Sequence, residues 1–582
     1  MRRSMRGANV LIPLLLLPGI ARVLPKAGLT WYQWGRDAGH GGAVLAAGQP
    51  LDAVVQDLVV DPNAAAIVQQ YGDLFAHYQV PLVEGTSVYA EVKDGPFTAL
   101  STWGTQVWGV ERLDWSNNQL GVRWQFLTDW KPAPHWHTGA NPYRVGPSWE
   151  PVFHAALSGR CVWMPAGGGA VVVLDKASGG PVRWVEPFGP STTPGVFTVG
   201  PITVAGGNVY YDAIRLDPAN PWGADVVDSW LVRVAPDGAV SKVSYRGLVP
   251  GAPAAGEPCE STFQVPPPWP PAPDAIAPTI PCGSQRPALN LAPAVGPDGA
   301  VYTVSRAHFN GRYGFLIALG PDLGLRWAAS LRGRLDDGCN VAMPPNGTPG
   351  GCSDGASAGV DPATNQPPAG VVDEDSTSSP TVAPDGSVLF GANTRYNFDQ
   401  GHMMRFSGSG QYLGAYPFGW DTTPAIYPHG GTYSIILKEN HYPVGSYCNL
   451  LAVCPSDRSA TYPDDPEAYY LTQLAPSLTA EWRFASTNTE TCSRAGDGTL
   501  TCVADHPHGF EFCVNHVAID RDGVVYANSE DGFLYAISPG GGLAGRLFLD
   551  QAVGAAYTPV SLGPDGRIYT QNLGHLIVVG RR

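Results

Sequence analysis

PAVGPDGAVYTVS, Pro293 to Ser305, decides the fold. Alternating β-formers lead into Asp-Gly and a second β run leaves it, which is the pattern of a tight hairpin whose glycine supplies a positive φ. Working outward, the phrase returns as PTVAPDGSVLFGA from Pro380, HVAIDRDGVVYANS from His516 and PVSLGPDGRIYTQN from Pro559. Degenerate copies begin at Pro81 (PLVEGTSVYAEV), Pro151 (PVFHAALSGRCVWMP), Pro201 (PITVAGGNVYYDA) and Pro424 (PAIYPHGGTYSII). Eight starts in one chain make this a repeat protein.

Most copies add a third apolar run, a Gly-rich turn and a fourth run: LIALGPDLGLRWAASL from Leu316, VVVLDKASGGPVRWVEPF from Val171, MMRFSGSGQYLGAYPF from Met403, FLYAISPGGGLAGRLFL from Phe533. One repeat is therefore four antiparallel strands of about five residues, the size of a propeller blade. A lone four-stranded sheet cannot cover both its faces, whereas radial stacking buries them against two neighbours. A Trp recurs in the fourth run: Trp124 after Gly121, Trp327 after Gly324, Trp184 after Gly180 with one residue more, and Trp482 in the same place. These indoles are expected to dock between blades. The expected fold is all-β: an eight-bladed propeller of four-stranded antiparallel blades. Asn63 to Tyr78 is the one stretch read as a small helix.

The combination of Asp-Gly-x-Val-Tyr, Leu-Tyr-Ala-Ile or Leu-Ile-Ala-Leu, and Gly-x-x-Trp resembles the PQQ-like repeat of quinoprotein-type β-propellers, from about Thr30 onward. The opening TWYQWGRDAGHGG is similar to the segment that leads into such domains. The resemblance implies a fold more than a function, because enzymes and scaffolds share it. The family's alcohol dehydrogenases carry adjacent cysteines beside the quinone, with an Asp base and calcium-binding Glu and Asn. The chain has no Cys-Cys dipeptide, and those ligands cannot be matched residue by residue. PQQ is therefore disfavoured.

Lys+Arg 35 against Asp+Glu 50 gives a net charge of -15, which argues against nucleic acid or an anionic membrane surface as partner. Residues 1–27 read as a signal peptide: a basic head and an apolar stretch from Val10 to Ile20 that is too short to span a bilayer. No other segment reads as a transmembrane span. Residues 28–582 then read as one propeller domain, closed by pairing of an N-terminal strand, around Leu51 to Val60, with the last blade. The expected location is secreted, periplasmic or at the cell surface. Ten cysteines suit that compartment, with local pairings Cys259 with Cys282, Cys339 with Cys352, Cys448 with Cys454 and Cys492 with Cys502. Cys161 and Cys513 have no local partner.

The surplus sequence falls between strands two and three or between blades: Asp129 to Ser148, Ile214 to Asp228, Gly251 to Leu289, Arg334 to Ser378, Asn440 to Pro466 and Ser486 to Phe512. These connections share one face, so long disulfide-pinned loops are expected there, and function with them. Two His pairs lie in them, His135 with His137 and His506 with His508, the latter beside Asp505; residues two apart in an extended segment can share a metal. Acidic runs at Asp336-Asp337, Asp373-Glu374-Asp375 and Asp464-Asp465 make calcium the first metal to look for. Aromatics crowd the same loops (Trp130, Trp136, Tyr143, Trp149, Trp222, Trp269, Tyr442, Tyr447), either as small loop cores or as a platform for a protein or glycan. The favoured reading is a non-catalytic binding or scaffold module. The alternative is a PQQ- or metal-dependent oxidoreductase with its site at the central channel.

Overall fold

The computed structural model describes residues 27–135, 146–261, 263, 272, 274–335, 357–361, 364–393, 401–417, 422–442, 466–513, 515–552 and 558–581. The strands form eight antiparallel blades: 82–127, 156–185, 196–244, 294–330, 381–417, 425–485, 518–548, and 561–580 completed by Ala53–Val59. The strands of each blade are hydrogen-bonded in chain order, and the short strand Gln285–Pro287 adds to blade 4. First strands of neighbouring blades meet at the centre. Fourth strands form the rim and are largely exposed, as in Gln119–Leu127 and Gly542–Phe548.

Local chemistry sets this order. In the four clear repeats the Asp-Gly glycine takes a positive φ (Gly299 78°, Gly386 78°, Gly523 84°, Gly566 83°), a region in which a Cβ is penalised. The turns between strands one and two, and between three and four, are short, so both sit on one face; the insertions leave from the other. Apolar clusters lie between blades. One joins Val304 and Leu316 of blade 4 to Phe390 and Met404 of blade 5, and another joins Val173 of blade 2 to Tyr211 of blade 3.

A β-bulge recurs in the third-to-fourth strand pair of blades 1, 2, 4, 5, 6 and 7 and aims one side chain at the next blade. Trp124 lies over Gly179 of blade 2 and donates its indole N–H to Lys176 O at 2.9 Å. Trp327 covers Gly410 and Trp482 covers Gly541 in the same way. Trp184 departs from the expected docking role. The bulge register puts Arg183 opposite Val173, so Arg183 lies over Gly238 and Trp184 is left 39% exposed. Counting three residues from Gly180 gives Arg183, not Trp184.

The closing strand Ala53–Val59 pairs antiparallel with His575–Gly580, as the outermost strand of blade 8. Helix Ala64–Tyr71 follows and stops at Gly72, which is left-handed at φ 81°. Two inserted hairpins carry disulfides, Cys259–Cys282 across Pro258–Glu260 and Thr279–Pro281, and Cys492–Cys502 across Glu490–Arg494 and Leu500–Ala504. Cys161 and Cys513 are outside any disulfide. The expected leader, the pairs Cys339–Cys352 and Cys448–Cys454, His137 and the acidic runs at Asp336 and Asp464 lie outside the described residues.

Candidate functional site: the axis and the loop face

Residues 31–49 run as a belt around the tight-turn mouth of the ring and meet the blades in chain order. The first strands of blades 1–7 each offer one backbone N–H at the same repeat position. Val83 N–H reaches Trp31 O at 2.8 Å, Leu157 reaches Tyr32 O at 2.7 Å, and Val204 reaches the Gln33 side-chain oxygen at 2.6 Å. Val295, Val382, Ile426 and Ile519 then donate to Ala38, Gly39, Gly41 and Gly42. Gln49 ends the circuit by donating its N–H to Gly566 O of blade 8 at 2.7 Å. The close approach explains the glycines: a Cβ on Gly42 would lie 2.2 Å from the His516 ring. Arg36 and His40 also sit at positive φ (74° and 63°), held there by Asp37, whose Oδ1 accepts N–H from Gly39 and Gly41.

The belt fills the axis with side chains. Trp34 is fully buried; its indole N–H donates to Thr423 Oγ1 of blade 6 at 3.2 Å, and its ring meets His154 of blade 2 edge-on at 5.7 Å. It spans opposite sides of the ring. His40 places Nδ1 2.7 Å from Pro380 O of blade 5, and His516 of blade 7 places Nε2 3.2 Å from His40 O. One nitrogen of each of these three imidazoles is buried without a partner among the described residues. Burial pushes His40 and His516 down to about 4 and His154 to about 3, so all three are neutral at physiological pH.

On the loop side, second strands end in buried charge. Glu91 and Lys93, two apart on one strand face, meet Asp61 and Glu150. Lys93 Nζ lies 2.8 Å from Glu150 and 3.2 Å from Asp61, and Trp108 donates to Glu150 at 2.7 Å. Two carboxylates share one ammonium, and burial lifts Glu91 beside them well above the ordinary carboxyl range. In blade 4, Arg286 grips Glu374 through two bonds of 2.6 and 3.0 Å, and Arg306 closes on the same carboxylate. Arg286 Nε donates to His308 Nδ1, which fixes His308 as the neutral Nε2–H tautomer facing Ala224 O.

The residues singled out in the sequence scatter. His135 meets Ser148 O at 3.0 Å and stands edge-on to Trp103. His506 pairs with Asp505 at 2.7 Å and stacks on Phe510, while His508 faces Glu467 at 3.8 Å. Of the acidic run, Glu374 belongs to the two arginines and Asp375 accepts the Ser148 and Trp149 N–H groups. Among the described residues, the one group with three ligating atoms close together is Glu490, Cys492 and Cys502, whose sulfurs are the disulfide. Described loop aromatics form small cores: Trp130 packs on Trp108 and Phe153, Trp149 on His77 and Phe75, Trp222 on His308.

No model of a known protein family matches the sequence, and neither does any curated protein. Solved structures do. The quinohemoprotein alcohol dehydrogenase from Comamonas testosteroni aligns over 95% of this chain and 81% of its own, at TM-score 0.50 and 12% identity. This chain has the quinoprotein-type β-propeller fold. A europium-containing methanol dehydrogenase aligns with 93% of this chain and 89% of its own (TM-score 0.47, 12% identity). BamB from Moraxella catarrhalis aligns with 91% of this chain and 99% of its own (TM-score 0.39, 10% identity).

In this quinoprotein-type propeller the residues at the level of Trp34 do not fit a quinone. At that level a planar cofactor would need the volume that Trp34, His40 and His154 fill. Two cavities of about 400 and 480 Å³ flank Ala38 at the tight-turn mouth, walled by Tyr32, Pro297, Pro384 and Pro428. Arg36 and Asp37 are the charges there, and they pair with each other at 2.6 Å. Among the described residues, no helix is long and apolar enough to cross a membrane.

Proposed function

We propose that this chain is an exported, non-catalytic binding or scaffold module whose partner, a protein or a glycan, meets the loop-bearing face. The observation that carries the reading is the belt. The axis is filled by Trp34 and its neighbouring histidines, which serve closure of the ring. The loops, in contrast, are built to hold a shape: a disulfide pins 259–282, and a buried Arg286–Glu374–Arg306 cluster ties the segment before blade 4 to that before blade 5. Rigid loops on a rigid scaffold lose little entropy on recognition. The disulfides, with the reading of residues 1–27 as a leader, support a secreted, periplasmic or surface location.

The competing reading, a PQQ- or metal-dependent oxidoreductase at the channel, takes support from the same buried loop-side charges, although those charges already close on one another. Purified protein, analysed for metals and incubated with PQQ and calcium, separates the two. The expected result is no quinone retained after desalting and no dye-linked alcohol oxidation. One quinone retained per chain, with oxidation, overturns the binding reading. A stoichiometric metal lost on substituting His506 and His508, or His135 and His137, with Ala would assign a metal role to those pairs.

A further inference from the structure

We propose that the seam between blades 8 and 1 binds a small carboxylate with an apolar body. The cavity there measures about 430 Å³, within the range of small-molecule sites. Both charged residues in its wall, Arg567 and Arg581, are cationic in a chain of net charge -15. The cavities beside Ala38 offer a self-neutralised pair, and the loop-side cations are held by buried carboxylates. The seam differs in having one guanidinium in excess of its neighbouring carboxylate, Asp565.

Arg567 is prepared for an anion. Its guanidinium lies over the Trp115 ring at 3.9 Å and bonds Asp565 at 2.6 Å, while Trp115 donates to Tyr569 OH at 2.8 Å. Stacking and one ion pair fix the plane; Nε is buried, and the 19% of the side chain that stays accessible faces the seam. A planar guanidinium held in this way, with N–H groups to spare, suits a carboxylate taken through two bonds. Gln49 clamps the backbone opposite: its Oε1 accepts the Arg581 N–H at 2.8 Å and its amide donates to Asp565 O at 2.9 Å. Asn118 adds an amide to the wall, and two valines supply its apolar part. Val54 and Val55 lie where the closing strand bulges between Val54 and Gln56, which opens the seam. A bare inorganic anion would leave that valine wall uncovered, so the ligand carries hydrocarbon.

The test is calorimetric titration of the full chain at low ionic strength with benzoate, benzyl alcohol and inorganic phosphate. Benzoate is expected to bind once per chain, and benzyl alcohol roughly tenfold or more weakly, because it lacks the charge-assisted bonds. Arg581→Gln, an exposed change, should weaken benzoate roughly tenfold, and Arg567→Gln at least as much. Because Arg567 also supports Trp115, its thermal unfolding is checked in parallel, and Arg581→Gln alone suffices if that variant is unstable. Equal affinity for benzyl alcohol, benzoate binding undiminished in Arg581→Gln, or no benzoate binding overturns the site. Binding of phosphate without benzoate overturns the apolar body.

Discussion

Gly410 shows at residue scale how neighbouring blades lock. Its φ of 84° suits a glycine, and a Cβ there would stand 2.6 Å from the Trp327 ring of the blade before it. Gly410→Ala combines backbone strain with overpacking and should cost ~2–4 kcal/mol in denaturant unfolding. Gly430→Ala is the control: its φ is 53° but nothing lies within 4 Å of the added atom, so the strain acts alone. An equal loss in both variants would show that Trp327 does not dock as described. The docking of these tryptophans was legible in the sequence because each recurs at the same place in a fourth strand, whereas the glycine that receives it lies in the next repeat. Its failure at Trp184 was legible too, in the extra residue after Gly180, but it takes the bulge register to say that Arg183 inherits the position.

At the scale of elements, the last blade depends on a strand from the other end of the chain. Leu58 faces Leu576 in that pairing, and a proline removes a ladder donor. Leu58→Pro should release Ala53–Val59 and leave the His575–Gly580 edge open. Open edges exchange strands, so light scattering is expected to show concentration-dependent association beyond that of the wild type. A monomeric variant of unchanged stability would deny the latch its role. The blades were readable because Asp-Gly hairpins announce themselves within a dozen residues. The belt was not, because all but one of its acceptors for blades 1–7 are backbone carbonyls and its donors lie up to hundreds of residues away; its spare glycines at 35, 39, 41 and 42 were the available signal. The His pairs illustrate the opposite limit. Spacing placed them correctly in loops, but His506 and His508 turned to different carboxylates once folded.

Across the whole molecule, buried titratable groups make stability depend on pH. His40, His77, His402 and His516 are depressed from 6.5 to about 4, and His154 to about 3, all chiefly by burial. A histidine lowered in the folded state contributes fully above 6.5 and loses that contribution as pH falls toward its folded value. Burial acts on carboxyls in the opposite sense. Asp212 is raised from 3.8 to about 8 and Glu111 from 4.5 to about 7, so their protonated forms favour the fold at low pH and stability is lost as pH rises through those values. Above pH 6.5 these histidines are neutral in both states while the raised carboxyls, Glu91 and Glu530 among them, still act, so the melting temperature should fall as pH rises from 6.5 toward 8. Asp212 accepts the Tyr245 hydroxyl at 2.7 Å on one oxygen and has no partner among the described residues on the other. Asp212→Asn keeps that acceptor without a titration. It should raise the melting temperature at pH 8 and leave it nearly unchanged at pH 4; a pH-independent effect would place the proton elsewhere.

The belt also orders events in time. Ribosomes make residues 31–49 before any blade exists, and the belt meets its partners in the sequence in which they emerge, from Val83 to Arg581, the latter 532 positions beyond Gln49. Each completed first strand therefore finds its carbonyl already waiting, and the nascent N-terminus serves as a template on which the ring is laid down. Only the final contact must wait for the end of translation. A chain permuted to begin between two blades would hold every contact of the native state and lose that timetable.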